Sequence, residues 1–446
     1  MAVHHFPPRY TAGAEGRAFR TAAALHARGH DLQVVCVERN DTGPASGVAW
    51  EDDVFGGVRV RRLFFNLWTA PDPLHWEYDN PWVGEHLQTW LAAERPDVFH
   101  MISGYLLSGR ALQVAQALQI PTVVTLTDFW FLCRRITMLR SDGRVSRAPI
   151  NPVTCAQCLG EEQGRYRWLG RLMPRVMGAY WRHQARAIER VTTRLTFLRD
   201  TLNQVDAIIS PSQFLRSVFV EAGVEPERVV FSRQGHDVPQ LSPATMEKKP
   251  TSDLRVGYLG QIAELKGVHV LIEAVRRMPD ARLRVWVYGD LQRFPTYTAW
   301  LKRLIASDAR IELAGAYQGP EALTRVLTGL DVIVVPSLWY ENSPNVILEA
   351  FAHRTPVVVS DLGGMAELVR DGDNGLRFKP GDAGSLAQQL QRLLDEPGLL
   401  PKLQAGIDPI KSVAQEMDEL EAIYRQVVAG KPAPTVSPLV PSLTPS

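Results

Sequence analysis

Two glutamates eight residues apart, Glu341 and Glu349, are the side chains of this sequence best placed to do chemistry. They fall in SLWYENSPNVILEAFAHRTPVVVSDLGGMAEL, directly after the apolar run DVIVVP. That order predicts a buried strand, a polar loop carrying Glu341, and a helix that holds Glu349, with Ser343 as its N-cap and Pro344 as its first residue. A helix N-terminus beyond the C-terminal end of a parallel strand presents unpaired N–H groups and the positive end of the helix dipole, which suits a diphosphate. Carboxylates at such a place repel phosphate and serve better as acceptors for the hydroxyls of a sugar or a ribose. Taken alone, two acids read as a solvated loop residue and a surface helix residue. The strand, loop and helix around them are what give them a role.

Two further groups could carry chemistry. Cys133, Cys155 and Cys158 form C-x21-C-x2-C, whose last pair has metal-ligand spacing. A zinc site needs a fourth ligand, for which His183 is the candidate, and free thiols are the simpler reading. Cys36 sits inside a strand and belongs to a core. Between Arg165 and Arg194 there are eight arginines against one glutamate. Leu169, Met173, Val176, Met177 and Tyr180 fall near one helical face there, with Trp168 and Trp181 beside them. The stretch reads either as a helix packed on its own domain with a solvated arginine face, or as an amphipathic helix lying on anionic lipid. Pro174 and Gly178 interrupt it. No nucleic-acid-binding motif accompanies the charge.

The elements that position these residues alternate as βαβ units. MAVHHF, LQVVCV, VRVRRLFF, DVFHM, TVVTL and AIISPS read as strands of a first parallel sheet, with helices over Arg17–Arg28 (ended by Gly29) and Gly84–Glu94. From Glu161 to about Asp206 the pattern is helical. VPQLSPATMEKKPTSD is aperiodic and reads as a linker. LRVGYL, LRVWVY, RIELA, DVIVVP, PVVVS and NGLRF then form a second doubly wound, Rossmann-like domain. The expected organisation is a domain over 1–238, a linker over 239–253, a second domain over 254–405, a terminal helix over 406–430 and a disordered Pro/Ser/Thr tail over 431–446. The opening in mid-strand predicts further residues upstream of Met1.

With 446 residues, 45% hydrophobic and 22% charged, the chain fits a globular protein of two or three domains. A net charge of +1 points to neither a nucleic acid nor an acidic partner. No apolar run is long enough to span a bilayer, and Pro7 and Pro8 cut short any secretory leader. Four cysteines make no disulfide framework, so the expected compartment is the cytoplasm, with peripheral contact at the inner face of the membrane if the arginine-rich stretch lies on lipid.

ENSPNVILEA resembles the E-x7-E signature of the family-four retaining glycosyltransferases. GYLGQIAELKGVHVLIEAV resembles the family's strand, basic loop and helix, and DLGGMAELVRDGDNGLRF its Gly-Gly turn and closing strand. PPRYTAGAEGRAFRTAAALHARGHDLQVV resembles the Gly-rich first loop, PTVVTLTDFWFLC the T-L-H-D-x-W segment and DAIISPSQFLRSVF the end of the first domain. The likeness extends to about residue 395. It implies the GT-B fold, two Rossmann-like domains facing across a cleft, with the acceptor on the first and the nucleotide sugar on the second. By position, Glu349 would bind the ribose, Glu341 the donor sugar, and Lys266 the departing diphosphate. Gly13 would let backbone approach the donor phosphates, Gly363 and Gly364 would shape the turn, and Asn345 would line the same site. Asp128 would serve catalysis, with Thr127 beside it. No metal or other cofactor is implied, since there is no D-x-D motif in a suitable loop; the partners are a nucleotide sugar and a glycan or lipid-linked acceptor. Two positions depart from the pattern: Gln261 replaces the family's arginine, and Thr127 its histidine. These departures motivate an alternative, a sugar-nucleotide-binding protein with weak or lost turnover; a phosphorylase or epimerase of the same fold is a third reading.

Overall fold

A computed structural model describes residues 1–11, 13–237, 253–306 and 308–430. All but Asp253 of the expected linker, and the whole of the expected tail, lie outside them. The chain divides into two compact units, Met1–Arg233 with Val413–Ser446, and Gln234–Ser412.

The first unit is an eight-stranded sheet of β1 (Ala2–Val3), β2 (Gln33–Arg39), β3 (Ala49–Phe55), β4 (Val58–Phe64), β5 (Phe99–Ile102), β6 (Thr122–Thr125), β7 (Ala207–Ser210) and β8 (Val229–Phe231). The order is β3-β4-β2-β1-β5-β6-β7-β8, parallel except where β3 pairs antiparallel with β4. Its longer helices are α1 (Gly13–Ala27), α2 (Pro81–Glu94), α3 (Arg110–Ala117), α4 (Pro152–Gly160), α5 (Gly164–Leu172), α6 (Pro174–Arg182), α7 (Ala185–Leu202) and α8 (Gln213–Glu221). The central strands FHMI, TVVT and AIIS are short and buried at every position, as a covered parallel sheet requires. β3, AWEDDVF, has no counterpart in the sequence reading. It is an edge strand, nearly all exposed, and Arg61–Asp52 and Arg62–Asp53 ion pairs tie it to β4. Without a buried face it carries no alternation to detect. The helix expected from Arg17 starts a turn earlier, at Gly13, and Gly29 ends it with φ +89.

The second unit has six strands: β9 (Leu254–Leu259), β10 (Leu283–Tyr288), β11 (Ile311–Gly315), β12 (Val332–Val335), β13 (Val357–Ser360) and β14 (Gly375–Phe378). All are parallel, in the order β11-β10-β9-β12-β13-β14. This is the doubly wound order in which the chain reverses direction beside its first strand, here at β9 and β12. Alternate residues feed two cores. Val256, Val285, Val332, Val334 and Val358 join one, and Leu259, Ile333, Val335, Val357 and Val359 join the other. The helices are α9 (Val268–Arg276), α10 (Pro295–Ile305), α11 (Gly319–Thr328), α12 (Asn345–Ala352), α13 (Gly363–Leu368), α14 (Ala383–Asp395) and α15 (Leu399–Ala405).

The last helix, α16 (Val413–Val428), begins later than the expected 406 and belongs to the first unit. Met417, Leu420, Ile423 and Val427 enter the core that holds Ala18, Ala22 and Leu25 of α1. Arg17 and Glu416 pair at 2.8 Å inside that seam, and Tyr424 meets His100 Nδ1 at 2.6 Å.

Candidate active site

In the second unit two loops leave the sheet beside each other and are zipped together. After β9 the chain runs through Gln261 and a 3₁₀ turn, Glu264–Lys266, to Gly267. Leu338 N donates to Leu265 O at 2.9 Å, joining this turn to the loop after β12. Gly267 has φ +72, and a Cβ there would stand 2.0 Å from the Pro336 carbonyl oxygen. Only glycine fits both constraints. The turn thereby delivers Lys266 to Glu341: Nζ lies 2.6 Å from Oε1. The same oxygen accepts from Ser337 Oγ at 2.8 Å and Trp339 Nε1 at 2.9 Å, and the ammonium lies 5.1 Å from the centre of the Trp339 ring. Glu341 is 7% exposed. A carboxylate so withdrawn from water persists only with such charge-assisted donors. Below it, burial and the Glu341 charge push the Tyr258 phenol well above its ordinary range, and Tyr258 donates to Gln261 O at 2.6 Å.

The helix that follows starts one residue later than its sequence predicts. Pro344 is the N-cap rather than the first helical residue, and Asn345 opens α12 with no side-chain cap. Proline cannot accept from the first turn as Ser343 would have, so donors at this N-terminus stay available. The Ser343 hydroxyl is buried and has no hydrogen-bond partner among the described residues. Gln234, which the sequence reading passed over, is buried and donates to both Ser343 O (2.9 Å) and Asn345 Oδ1 (2.6 Å). Further along α12, Glu349 lies near Tyr317, whose phenol is pushed up to about 12 by burial and by the Glu349 charge. Tyr317 makes an edge contact with Tyr288 at 6.4 Å. Gly363 has φ +58, and Gly364 N donates to Glu341 O at 2.7 Å. A Cβ on Gly364 would stand 1.9 Å from Asn342 O, so this glycine lets the Glu341 loop and α13 touch.

The remaining expected residues lie in the first unit. Gly13 is exposed and opens α1. Asp128 follows β6, where Oδ2 accepts from Ser103 Oγ (2.8 Å) and Thr127 Oγ1 (3.2 Å), and Oδ1 accepts from Trp130 N (2.7 Å). These bonds use it to shape the turn that follows. Beside it, at the point where β1 and β5 send the chain to opposite sides, the sheet carries side chains that sequence reasoning missed. His4 Nε2 is 3.5 Å from Glu15 Oε1 and its ring meets Tyr105 edge-on at 5.7 Å. His5 stacks on Tyr10 at 3.8 Å. Two histidines closing the first strand were the available signal. Cys133, Cys155 and Cys158 line one cavity with Arg135, Arg140 and Ser146. All are free thiols; burial raises Cys133 and pushes Cys155 up to about 12. Among the described residues no group of three or more His, Cys, Asp or Glu is arranged to hold a metal.

Two doubly wound units, one with an acid–lysine pair ahead of a helix that lacks a side-chain cap, make a GT-B architecture. The chain matches the family model for the "Glycosyl transferase 4-like domain" over residues 12–235 and that for "Glycosyl transferases group 1" over residues 253–396. It belongs to the family-four glycosyltransferases. A lipopolysaccharide core biosynthesis glycosyltransferase of Rhizobium meliloti is 30% identical over 266 residues, which are 58% of this chain and 73% of that protein. A glycogen synthase of Mycobacterium tuberculosis is 25% identical over 418 residues, 89% of this chain and 86% of that one. HepE of Anabaena, solved with UDP and glucose, aligns with a TM-score of 0.60 at 18% identity over 94% of this chain and 98% of its own. A glycosyltransferase from Rickettsia africae aligns with a TM-score of 0.64 at 15% identity over 96% and 98%. These two structures share its fold.

Proposed function

We propose that the protein is a retaining glycosyltransferase that moves a sugar from a nucleotide-diphosphate sugar to a hydroxyl of a glycan or lipid-linked glycan, with the donor drawn from the cytoplasm. The observation that carries this reading is the Lys266–Glu341 pair, 2.6 Å apart, whose glutamate lies in the loop leading to α12, the helix without a side-chain cap that bears Glu349. A diphosphate at that N-terminus competes with Glu341 for the lysine and offers it more charge. Glu341, still held by Ser337 and Trp339, then accepts from hydroxyls of the donor sugar, while Glu349 accepts from the ribose. Asn345, Gly363 and Gly364 shape this donor site, and Gln261 adds hydrogen bonds without charge. Gly13 offers backbone to the donor phosphates, and Asp128 with Thr127 faces the acceptor.

In the reaction the bond from the anomeric carbon to the β-phosphate oxygen breaks, and the acceptor oxygen bonds that carbon on the same face. The acceptor proton passes to the departing phosphate oxygen. Lys266 and the α12 N–H groups stabilise the charge that grows there, so the step calls on no metal. A relative whose name places it in lipopolysaccharide core synthesis supports a glycan on a lipid as acceptor.

Thermal stabilisation by a panel of sugar nucleotides, followed by NMR of the anomeric product, tests this. Stabilisation by one donor and a product that keeps the donor's anomeric configuration are expected. An inverted product would sink the retaining mechanism, and stabilisation by none would sink the donor. Binding without transfer or hydrolysis would favour the second reading, a sugar-nucleotide-binding protein with lost turnover, which Gln261 and Thr127 motivate.

A further inference from the structure

The helix pair α5–α6 shows two contrasting faces. Trp168 is 63% exposed, Leu172 60%, Val176 59%, and Met173 between them is exposed as well. The sequence pattern would group Met177 with these residues, but Met177 and Trp181 turn the other way and are each 6% exposed. The Trp181 ring closes over Gly160 of α4, where a Cβ would stand 1.8 Å from it, and Tyr166 meets it edge-on at 5.5 Å. The pair is therefore already seated on its own unit. Its outer apolar residues are not a core awaiting closure. Pro174 lacks an N–H and breaks the helix at Met173, so the ridge is bent; Gly178 does not interrupt α6.

The charges on this segment are of one sign. Arg165, Arg167, Arg171, Arg175 and Arg182 lie between Gly164 and Arg182, with no Asp or Glu among them. None has an ion-pair partner among the described residues, although most arginines elsewhere in the chain do. Apolar side chains turned outward among uncompensated arginines match an anionic, water–hydrocarbon boundary: tryptophan and leucine enter the headgroup layer while guanidiniums stay at phosphate level. An acidic protein groove would match the charge, but arginines spread along both helices suit a continuous charged plane better than a few paired sites.

We propose that the outer face of α5–α6, centred on Trp168, Leu172, Met173 and Val176, docks on an anionic lipid surface. This deepens the proposed function and rests on it only for its purpose, presenting a lipid-borne acceptor. The next helix along the chain, α7, reaches the turn after β6, where Arg194 donates to Trp130 O and lies 5.3 Å from the centre of that ring.

The test is co-sedimentation of the full chain with phosphatidylglycerol–phosphatidylcholine vesicles and with phosphatidylcholine alone, at low and high salt. Binding to the anionic vesicles that weakens with salt is expected. Changing Arg167, Arg171 and Arg175 together to Gln should weaken it roughly hundredfold, at about fivefold per arginine. Leu172→Ser with Val176→Ser should weaken it at both salts. All five positions are surface positions, so unchanged melting temperatures should accompany these losses. Failure of the unaltered protein to bind anionic vesicles at low salt overturns the proposal, as does equal binding to neutral ones. A concentration-dependent dimer abolished by the Leu172/Val176 variant, without vesicle binding, would make the face a protein interface instead. Sugar-nucleotide binding, measured on the same variants, should not change; its loss in the unaltered protein would speak against the proposed reaction and leave the docking result standing.

Discussion

At the scale of single residues, the proposed function gives Glu341 and Glu349 separable duties. Glu349→Ala should weaken nucleoside-diphosphate binding by about 1–3 kcal/mol, the cost of losing charge-assisted hydrogen bonds, and calorimetry reads it directly. Glu341→Ala should lower turnover more than that affinity, because its proposed partner is the sugar. Unchanged binding in the Glu349 variant would remove the ribose assignment. Lys266→Ala should nearly abolish diphosphate binding. Gln261→Arg tests whether the missing family charge can be restored beside it, with tighter diphosphate binding expected. The acid pair and the lysine were legible because each sits within a short local motif. Their contact was not, since Lys266 and Glu341 are 75 residues apart and spacing along the chain says nothing about a 2.6 Å approach. Gln234 escaped for the same reason: its partners Ser343 and Asn345 lie more than a hundred residues on.

At the scale of elements, the second sheet was legible almost to the residue because its strands are short apolar runs: β12, VIVV, is buried throughout, and β9, LRVGYL, and β10, LRVWVY, are each broken by a single arginine. β3 was not, since exposure removes the pattern, and the start of α12 shifted because Pro344 serves as cap rather than first residue. The two zipped loops make a sharp prediction. Gly267→Ala places a methyl 2.0 Å from the Pro336 carbonyl at a φ of +72, so backbone must move. A loss of about 2–4 kcal/mol is expected in denaturant titration, larger than for most single substitutions, together with weaker diphosphate binding as Lys266 is displaced. Gly372→Ala, at the same φ with nothing nearby, separates strain from collision and should cost less.

At the scale of the whole molecule, the alternation of strands and helices foretold two Rossmann-like units, but not that α16 returns to the first. Its amphipathic stripe shows that it packs without showing on what. Replacing Arg17 by Met removes the buried 2.8 Å pair with Glu416, and a lower denaturation midpoint is expected. The same seam sets a pH dependence. His100, buried against Tyr424 and Thr125, is pushed down to about 3 by burial, aided by nearby positive charge. Between its folded value and the ordinary imidazole value near 6.5, the unfolded chain binds a proton that the folded one refuses. Stability should therefore fall as pH drops through that window, by up to about 1.4 kcal/mol per pH unit, and His100→Gln should flatten the slope measured from pH 4 to 7. Because the second unit is one unbroken stretch inserted into the first, Arg17 is made before that unit and Glu416 after it. The ribosome must therefore deliver the whole of the second unit before the first can close, while the second unit, complete at Ser412, is free to fold ahead of it.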